Sequence, residues 1–258
     1  MLALVTGASS GIGKEIAKCL ASKGYNIIAV ARDKERLEEL KKEIEDKYKK
    51  KVDVISCDLT DRSKVIKLHD NVYKRYGTID VLINDAGFGL FGKFNETSLD
   101  TELDMIDTNV VALHILTKLF LEDMVKKNSG HILNVASIAG FMPGPLMSTY
   151  YASKNYVVKL SESIRHELIK MNSKVKISIL CPGPVRTRFN ETAKVRFNLL
   201  SESSEEVAKY AVDKMLLGEF YIFSNLFIFI SVLFAHILPS EVMASITYYM
   251  QRKNKEKS

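Results

Sequence analysis

Within Tyr150-Tyr151-Ala152-Ser153-Lys154, two phenols and an ammonium group fall inside little more than one helical turn. Tyr150 (i, i+4) and Tyr151 (i, i+3) can each share a helix face with Lys154. An ammonium beside a phenol favours phenolate, lowers the phenol's pKa from its usual value of about 10 and makes it a proton donor or acceptor near neutrality. Spacing alone leaves both tyrosines in play, and a surface helix that merely carries Tyr and Lys would read the same way. Ser137 adds a hydroxyl just after the apolar run 131–135, where α/β sheets place their ligands. Only the loop 138–149 separates it from the Tyr/Lys segment, so hydroxyl, phenol and ammonium can converge on one substrate oxygen. No His or acid stands at matching positions for a hydrolytic triad, which points to proton transfer rather than covalent attack.

Asn109 is the odd polar residue ahead of Val110-Val111-Ala112-Leu113, inside a helix expected over 99–127. An interior Asn reads as a bend, as a satisfied core amide, or as the holder of a water linking Lys154 to solvent.

At the other end of the chain, Thr6-Gly7-Ala8-Ser9-Ser10-Gly11-Ile12-Gly13 follows the first apolar run and opens a helix. Glycines there permit a tight turn and close backbone approach to a pyrophosphate, and the helix start offers free N–H groups to an anion. A dinucleotide is the ligand expected, with Thr6, Gly7, Ser9, Ser10, Gly11, Ile12 and Gly13 around it. At the end of the second strand, where an acid would accept hydrogen bonds from a free ribose 2′-OH, stand Ala31-Arg32, with Arg36 one turn on. Arg32 and Arg36 offer planar charged forks to a 2′-phosphate, which favours NADP over NAD. The competing reading makes Arg32 a solvated loop residue and gives the ribose to Asp33. Asp58-Leu59 after the third strand suits a carboxylate near the adenine amino group, and Asn84, Ala86 and Gly87 after the fourth let the chain pass a flat ligand; singly, each is also ordinary loop chemistry.

These residues require strands beneath them. Short unbroken apolar runs at 2–5, 27–31, 52–56, 81–83, 131–135, 176–180 and 220–223 alternate with helical patterns at 33–50, 62–76, 99–127, 150–170 and 205–217. That alternation predicts a Rossmann-like, doubly wound parallel α/β sheet of about seven strands, with helices on both faces. A chain of 258 residues with 47% hydrophobic and 26% charged residues suits one catalytic domain over 1–224, followed by an apolar and amphipathic helical extension over 225–258 with a basic tail.

The net charge of +6 concentrates at 47–51 and 252–257, without interleaved aromatics, so nucleic acid is not an expected partner. Cys19, Cys57 and Cys181 lie far apart with no ligand spacing, which argues against a metal or disulfide framework. The chain enters Leu2-Ala3-Leu4-Val5 at once, leaving no room for a leader, so a cytoplasmic protein is expected, with membrane association left open. The stretch 220–238 has about the length of a bilayer span, but its start serves better as the last strand, which leaves roughly 13 helical residues, too few to cross. A substrate lid or oligomer surface, an interfacial membrane contact and a true span all stay open. The basic tail suits anionic headgroups, and the apolar stretch hints at a lipid-like substrate.

Taken together, the chain resembles the short-chain dehydrogenase/reductase family from Leu2 to about Phe189. Thr6-Gly-x-x-x-Gly-x-Gly13 is similar to its cofactor motif, Asp58 to its adenine contact, Asn109 to its helix asparagine, and Ser137, Tyr150 and Lys154 to its catalytic residues. Pro182-Gly183, Val185 and Thr187 resemble the segment along the nicotinamide carboxamide, and 84–92 looks most like the bacterial DltE-like branch. Asp85 departs from the family, which usually carries Asn there.

The resemblance implies hydride transfer between a nicotinamide and a carbonyl or alcohol carbon. It makes Tyr150 the general acid, thirteen residues after Ser137, and Tyr151 a packing residue. Ser137 would hold the substrate oxygen, Lys154 would lower the phenol's pKa and hold the nicotinamide ribose, and Asn109 would complete a proton relay. Residues 189–200 would close over an apolar carbonyl or alcohol substrate, and a homodimer or homotetramer is implied. The alternative is a non-catalytic NADP-binding or sensing module on the same fold.

Overall fold

The runs of Val, Ile, Leu and Ala become strands, buried on both faces except at the edge strand β3, where only Val52 is fully buried: β1 (Leu2–Thr6), β2 (Asn26–Ala31), β3 (Val52–Ser56), β4 (Val81–Asn84), β5 (His131–Val135) and β6 (Lys176–Cys181). The computed structural model describes residues 1–186 and 202–255. After a two-residue pair, β7 (Val185–Arg186) beside β8 (Glu202–Ser203), the chain returns to the main sheet as β9 (Tyr221–Phe223). All seven main strands run parallel in the order β3-β2-β1-β4-β5-β6-β9. This is the expected Rossmann-like doubly wound sheet. The direction of winding reverses between β1 and β4, and a crevice opens beyond their carboxyl ends, where such folds bind ligands.

Helices cover both faces. α1 (Gly11–Ser22), α2 (Lys34–Tyr48) and α7 (Ser204–Leu217) send residues such as Ile16, Leu20, Leu40 and Val212 onto one face. α3 (Arg62–Tyr76), α5 (Leu113–Lys127) and α6 (Ser148–Lys170) close the other, with Val65, Leu68, Phe120 and Leu168 in its core. Because both faces are covered, the strands carry no polar alternation.

One expected helix is broken. Instead of a continuous element over 99–127, α4 (Leu99–Ile106) runs into a π-helical turn, Asp107–Ala112, before α5. The wider turn lets buried Asn109 leave the helical ladder and bond elsewhere, as insertions of this kind commonly do at functional sites.

Beyond β9 come α8 (Leu226–Ile237) and α9 (Ser240–Lys255). Asn225 caps α8 by accepting the Ile228 amide at 2.9 Å. α9 is tied to the body by Thr247, whose Oγ1 donates to the Pro143 carbonyl at 2.8 Å, and by Gln251, whose Nε2 donates to the Tyr151 hydroxyl at 2.6 Å. Among the described residues no helix is long and apolar enough to cross a membrane.

Candidate active site

β1 ends at Thr6, and the chain turns through Gly7 with φ 71°, a left-handed conformation open to glycine. At Gly13 the reason for glycine is space. A Cβ there would lie 2.7 Å from the Gly7 carbonyl oxygen and 2.6 Å from Asp85 Oδ2, so any side chain would push the turn off the end of β4. Thr6 braces the same junction: its Oγ1 accepts the amides of Asp85 (3.1 Å) and Ala86 (3.2 Å) and donates to the Ile83 carbonyl (3.2 Å). Ser10 caps α1 without a side-chain hydrogen bond, and the first turn of α1 holds no acid. The Gly13 amide is taken by the Asp85 carboxylate, and the amides of Gly11 and Ile12 are left for a ligand.

Gly7, Ser9, Ser10, Gly11 and Ile12 wall one end of a cavity of about 1730 Å³. Drug-sized ligands occupy roughly 300–1,000 Å³, so this cavity can take a dinucleotide with a second molecule beside it. Arg32, Asp58, Leu59, Ala86 and Gly87 line it. Arg36 does not. Asp33 caps α2 by accepting the Arg36 amide (3.2 Å) and pairs with Arg36 Nε (3.1 Å), which holds that guanidinium against the helix start. Thr6, Gly13 and Asn84 stand behind the wall rather than in it. Asn84 Nδ2 donates to Thr117 Oγ1 (3.0 Å) and Asn134 Oδ1 (2.9 Å), tying β4 to β5 and α5.

Ser137 leaves β5 into a short 3-10 turn, Ile138–Phe141, accepting the Ala139 amide at 3.2 Å, and lines the cavity together with the Tyr150 phenol. Lys154 Nζ sits 5.9 Å from the centre of the Tyr150 ring and donates to the Val135 carbonyl at 2.8 Å. Tyr151 also borders the cavity, its ring edge-on to that of Tyr150. It fills the space beside Gly144, where a Cβ would fall 2.1 Å from Tyr151 Cγ, and its hydroxyl receives Gln251. The structure thus groups Ser137, Tyr150 and Lys154, with Tyr151 held next to them by its own packing.

Asn109 reaches this group from below. Its Nδ2 donates to the Phe88 carbonyl (2.9 Å) and to Ser153 Oγ (3.1 Å), while Oδ1 accepts the Phe88 amide (3.0 Å). Both Nδ2 hydrogens and one lone pair of Oδ1 are thereby used on backbone and helix, which makes the side chain a clamp between the π-turn, the 84–89 loop and α6. A Cβ on Gly87 would meet Asn109 Oδ1 at 2.8 Å and Lys154 Nζ at 3.7 Å, so the three are immediate neighbours.

The electrostatics differ from the expectation that Lys154 lowers the phenol's pKa. Burial drives Tyr150 well above the ordinary phenol range; the Ser137 hydrogen bond opposes this, and the charges of Tyr151 and Asp85 add to it. Burial also pulls Lys154 below the usual ammonium range, and the Asp85 carboxylate works against that fall. Asp85 itself is pushed up by burial, held back by Lys154 and the Gly13 amide. Among the chain's own groups, desolvation therefore outweighs the phenol–ammonium attraction.

Sequence reasoning noted Asp85 only as a departure, yet it lines the cavity and is electrostatically coupled to Lys154. It also missed the lining contributed by Thr108, Met142, Met147 and the helices α8 and α9, which no local motif marks. Pro182, Gly183 and Val185 line the cavity, and a Cβ on Gly183 would lie 2.5 Å from Ile228 Cδ1 of α8. Thr187 and the loop 189–200 fall outside the described residues. Among the described residues no group of His, Cys, Asp or Glu could hold a metal ion.

Three comparisons bear on this geometry. The family model for short chain dehydrogenases matches residues 1–196. An uncharacterised oxidoreductase of Staphylococcus saprophyticus is 36% identical over 72% of this chain and 79% of its own, and a farnesol dehydrogenase of Aedes aegypti is 34% identical over 72% and 78%. A Sphingobium yanoikuyae short-chain dehydrogenase in complex with NADPH superposes with TM-score 0.82 at 28% identity, covering 87% of this chain and 88% of that one. A Burkholderia phymatum short-chain dehydrogenase/reductase in complex with NAD gives TM-score 0.83 at 26% identity, covering 92% of each.

Proposed function

Since the chain belongs to the short-chain dehydrogenase family, we propose that it is an NADP(H)-dependent oxidoreductase that interconverts an apolar carbonyl compound and its alcohol, with Tyr150 as the proton-transferring residue. The observation that carries this reading is the convergence of Ser137, Tyr150 and buried Lys154 on one cavity with the glycine turn.

The cradle suits a dinucleotide: Gly7 and Gly13 leave room where a side chain would obstruct, and the start of α1 offers amides to a diphosphate. When bound, the nicotinamide supplies or receives the hydride. The protein's part is geometry and proton handling. In the reductive direction Tyr150 keeps a proton on Oη for the carbonyl oxygen, and its high pKa means that phenolate is not populated ahead of need. Ser137 Oγ donates to the same oxygen as negative charge develops on it, where a fixed donor contributes most. Lys154, drawn into burial beside them, stabilises the phenolate left after transfer.

Arg32 lines the cavity and, among the described residues, has no pairing acid of the kind that occupies Arg36, which supports the preference for NADP. Neighbouring structures hold NADPH or NAD, so the preference rests on this residue. The apolar lining from Phe227, Ile228, Phe234 and Met243, and a relative named for the apolar alcohol farnesol, support a hydrophobic substrate.

The test is NADPH oxidation against a panel of aldehydes, ketones and acyl-thioester ketones, repeated with Tyr150→Phe. The variant is expected to lose about 10²–10⁴-fold in turnover with NADPH affinity unchanged. Equal turnover in the variant, or no oxidation by the wild type across the panel, overturns the reading.

A further inference from the structure

Glu102 has no part in the chemistry described above, yet its carboxylate is withdrawn from solvent, with the residue only 8% exposed. It stands in α4, and its partners are hydroxyls. Thr149 Oγ1 of α6 donates to Oε2 at 2.8 Å, and Thr97 Oγ1, just ahead of α4, donates to Oε1. Burying a charge costs free energy unless donors or an opposing charge meet it. Here the two hydroxyls do so, together with the positive end of the α6 dipole, since Thr149 lies in the first turn of that helix.

The start of α6 is poorly supported by its own sequence. Its N-cap, Met147, makes no side-chain hydrogen bond, and the first turn contains no acid. Leu146, one residue earlier, has φ 69°, a left-handed conformation unfavourable for a bulky side chain. The Gly92 amide donates to the Leu146 carbonyl at 2.8 Å, so the loop that carries Thr97 also holds this entry. The acid that α6 lacks is delivered from α4.

Glu102 and Asn109, seven residues apart, meet α6 at two residues that are four apart. Glu102 takes Thr149, while Asn109 Nδ2 donates to Ser153 Oγ (3.1 Å), which in turn donates to the Tyr150 carbonyl (2.7 Å). Tyr150 lies between these anchors, ~100° round the helix from Thr149, and lines the cavity, which Glu102 does not.

We propose that Glu102 is a positioning residue for the proton transfer: with Asn109 it fixes the turn of α6 from Thr149 to Ser153, and so keeps the Tyr150 hydroxyl aimed into the cavity beside Ser137. It acts through Thr149, not on the phenol itself. A displacement of ~1 Å at a reacting group is enough to cost ~10²-fold in rate, so an anchor one residue away has a kinetic consequence.

The proposal rests on Tyr150 as the proton-transferring residue, and kinetics of NADPH-dependent reduction test it. Glu102→Ala is expected to lower kcat by about 10–100-fold, with NADPH affinity at the wild-type value and KM within about twofold. Glu102→Gln, whose amide can accept from one hydroxyl and donate to the other, should recover kcat to within about threefold of wild type. Thr149→Val should match Glu102→Ala, and the double variant should be no slower than either single one, because all three remove the same contact. Thr149→Val also carries the test if Glu102→Ala does not fold.

Hydrogen exchange reads the anchor without turnover: the Tyr151 amide, bonded to the Met147 carbonyl at 3.1 Å, should exchange about tenfold faster in either single variant. Wild-type kcat or wild-type exchange in the single variants overturns the proposal. So does a loss that Gln does not recover, or losses that multiply in the double variant. Full turnover in Tyr150→Phe removes the catalytic reading and this proposal with it; lost turnover there, with full turnover in Glu102→Ala, removes this proposal alone.

Discussion

The wall of the cavity made by the glycine turn and the wall made by α8 and α9 are held by different means. At the first, backbone meets backbone: Gly13 packs against the Gly7 carbonyl, and Thr6 pins the amides of Asp85 and Ala86 within 3.2 Å. At the second, side chains do the holding, through Ile228 against Gly183, Thr247 on Pro143 and Gln251 on Tyr151. A backbone-built wall suits a ligand whose phosphates and ribose do not vary. A wall of apolar side chains presented by helices can change its shape with few residues, which suits the part of the site that selects a substrate.

The largest effect should come from breaking the rigid wall. Gly13→Val places atoms where the Gly7 carbonyl and Asp85 already are, and a loss of roughly 100-fold or more in NADPH affinity is expected by fluorescence titration. Wild-type affinity in that variant would mean that the turn yields as easily as the other wall. Next comes Arg32→Asp, which should weaken NADP binding on the order of tenfold or more relative to NAD, since a fork that attracts a 2′-phosphate becomes a repelling carboxylate. Tighter binding of NAD than NADP by the wild type would remove the preference altogether.

Asp85→Asn probes the contact between the wall and the proton-transfer group. The Asp85 carboxylate favours the charged form of Lys154 against desolvation, so its removal lowers the Lys154 pKa further. The ammonium is then lost at lower pH, and the alkaline limb of the kcat/KM profile for NADPH oxidation should move down in pH. A fixed limb would show that Asp85 does not act on Lys154. The smallest effect is expected at the side-chain wall. Gln251→Leu removes one hydrogen bond worth about 1 kcal/mol, so the melting midpoint should fall by ~2–4 °C and KM should rise severalfold with kcat nearly constant. A collapse in kcat instead would make α9 part of the catalytic machinery.

Much of the molecule was legible because its signals are local. Strands buried on both faces read as continuous apolar runs, and the glycine spacing, Ser137 and the Tyr/Lys segment each sit within a few residues of the element that positions them. Where the outcome depends on which partner a side chain takes, reading failed or stayed ambiguous. Arg36 looked like a cofactor ligand, but Asp33 three residues before it takes the guanidinium. Asn84 looked like a cofactor neighbour, but it bonds Thr117 and Asn134, distant in sequence. The π-turn at Asp107–Ala112 carries no breaker residue, because what stabilises it is Asn109 meeting the Phe88 backbone and Ser153.

The sequence by itself therefore determined the parallel sheet, the glycine turn and the presence of a phenol, an ammonium and a hydroxyl near one strand end. These follow from periodicity and short spacing, which the chain carries without folding. Only the tertiary structure decided which tyrosine meets Ser137, that burial rather than Lys154 sets the phenol's pKa, and that α8 turns one apolar stripe to the cavity and leaves another exposed. Desolvation and partner choice are properties of the packed chain, since each depends on atoms that sequence distance does not bring together.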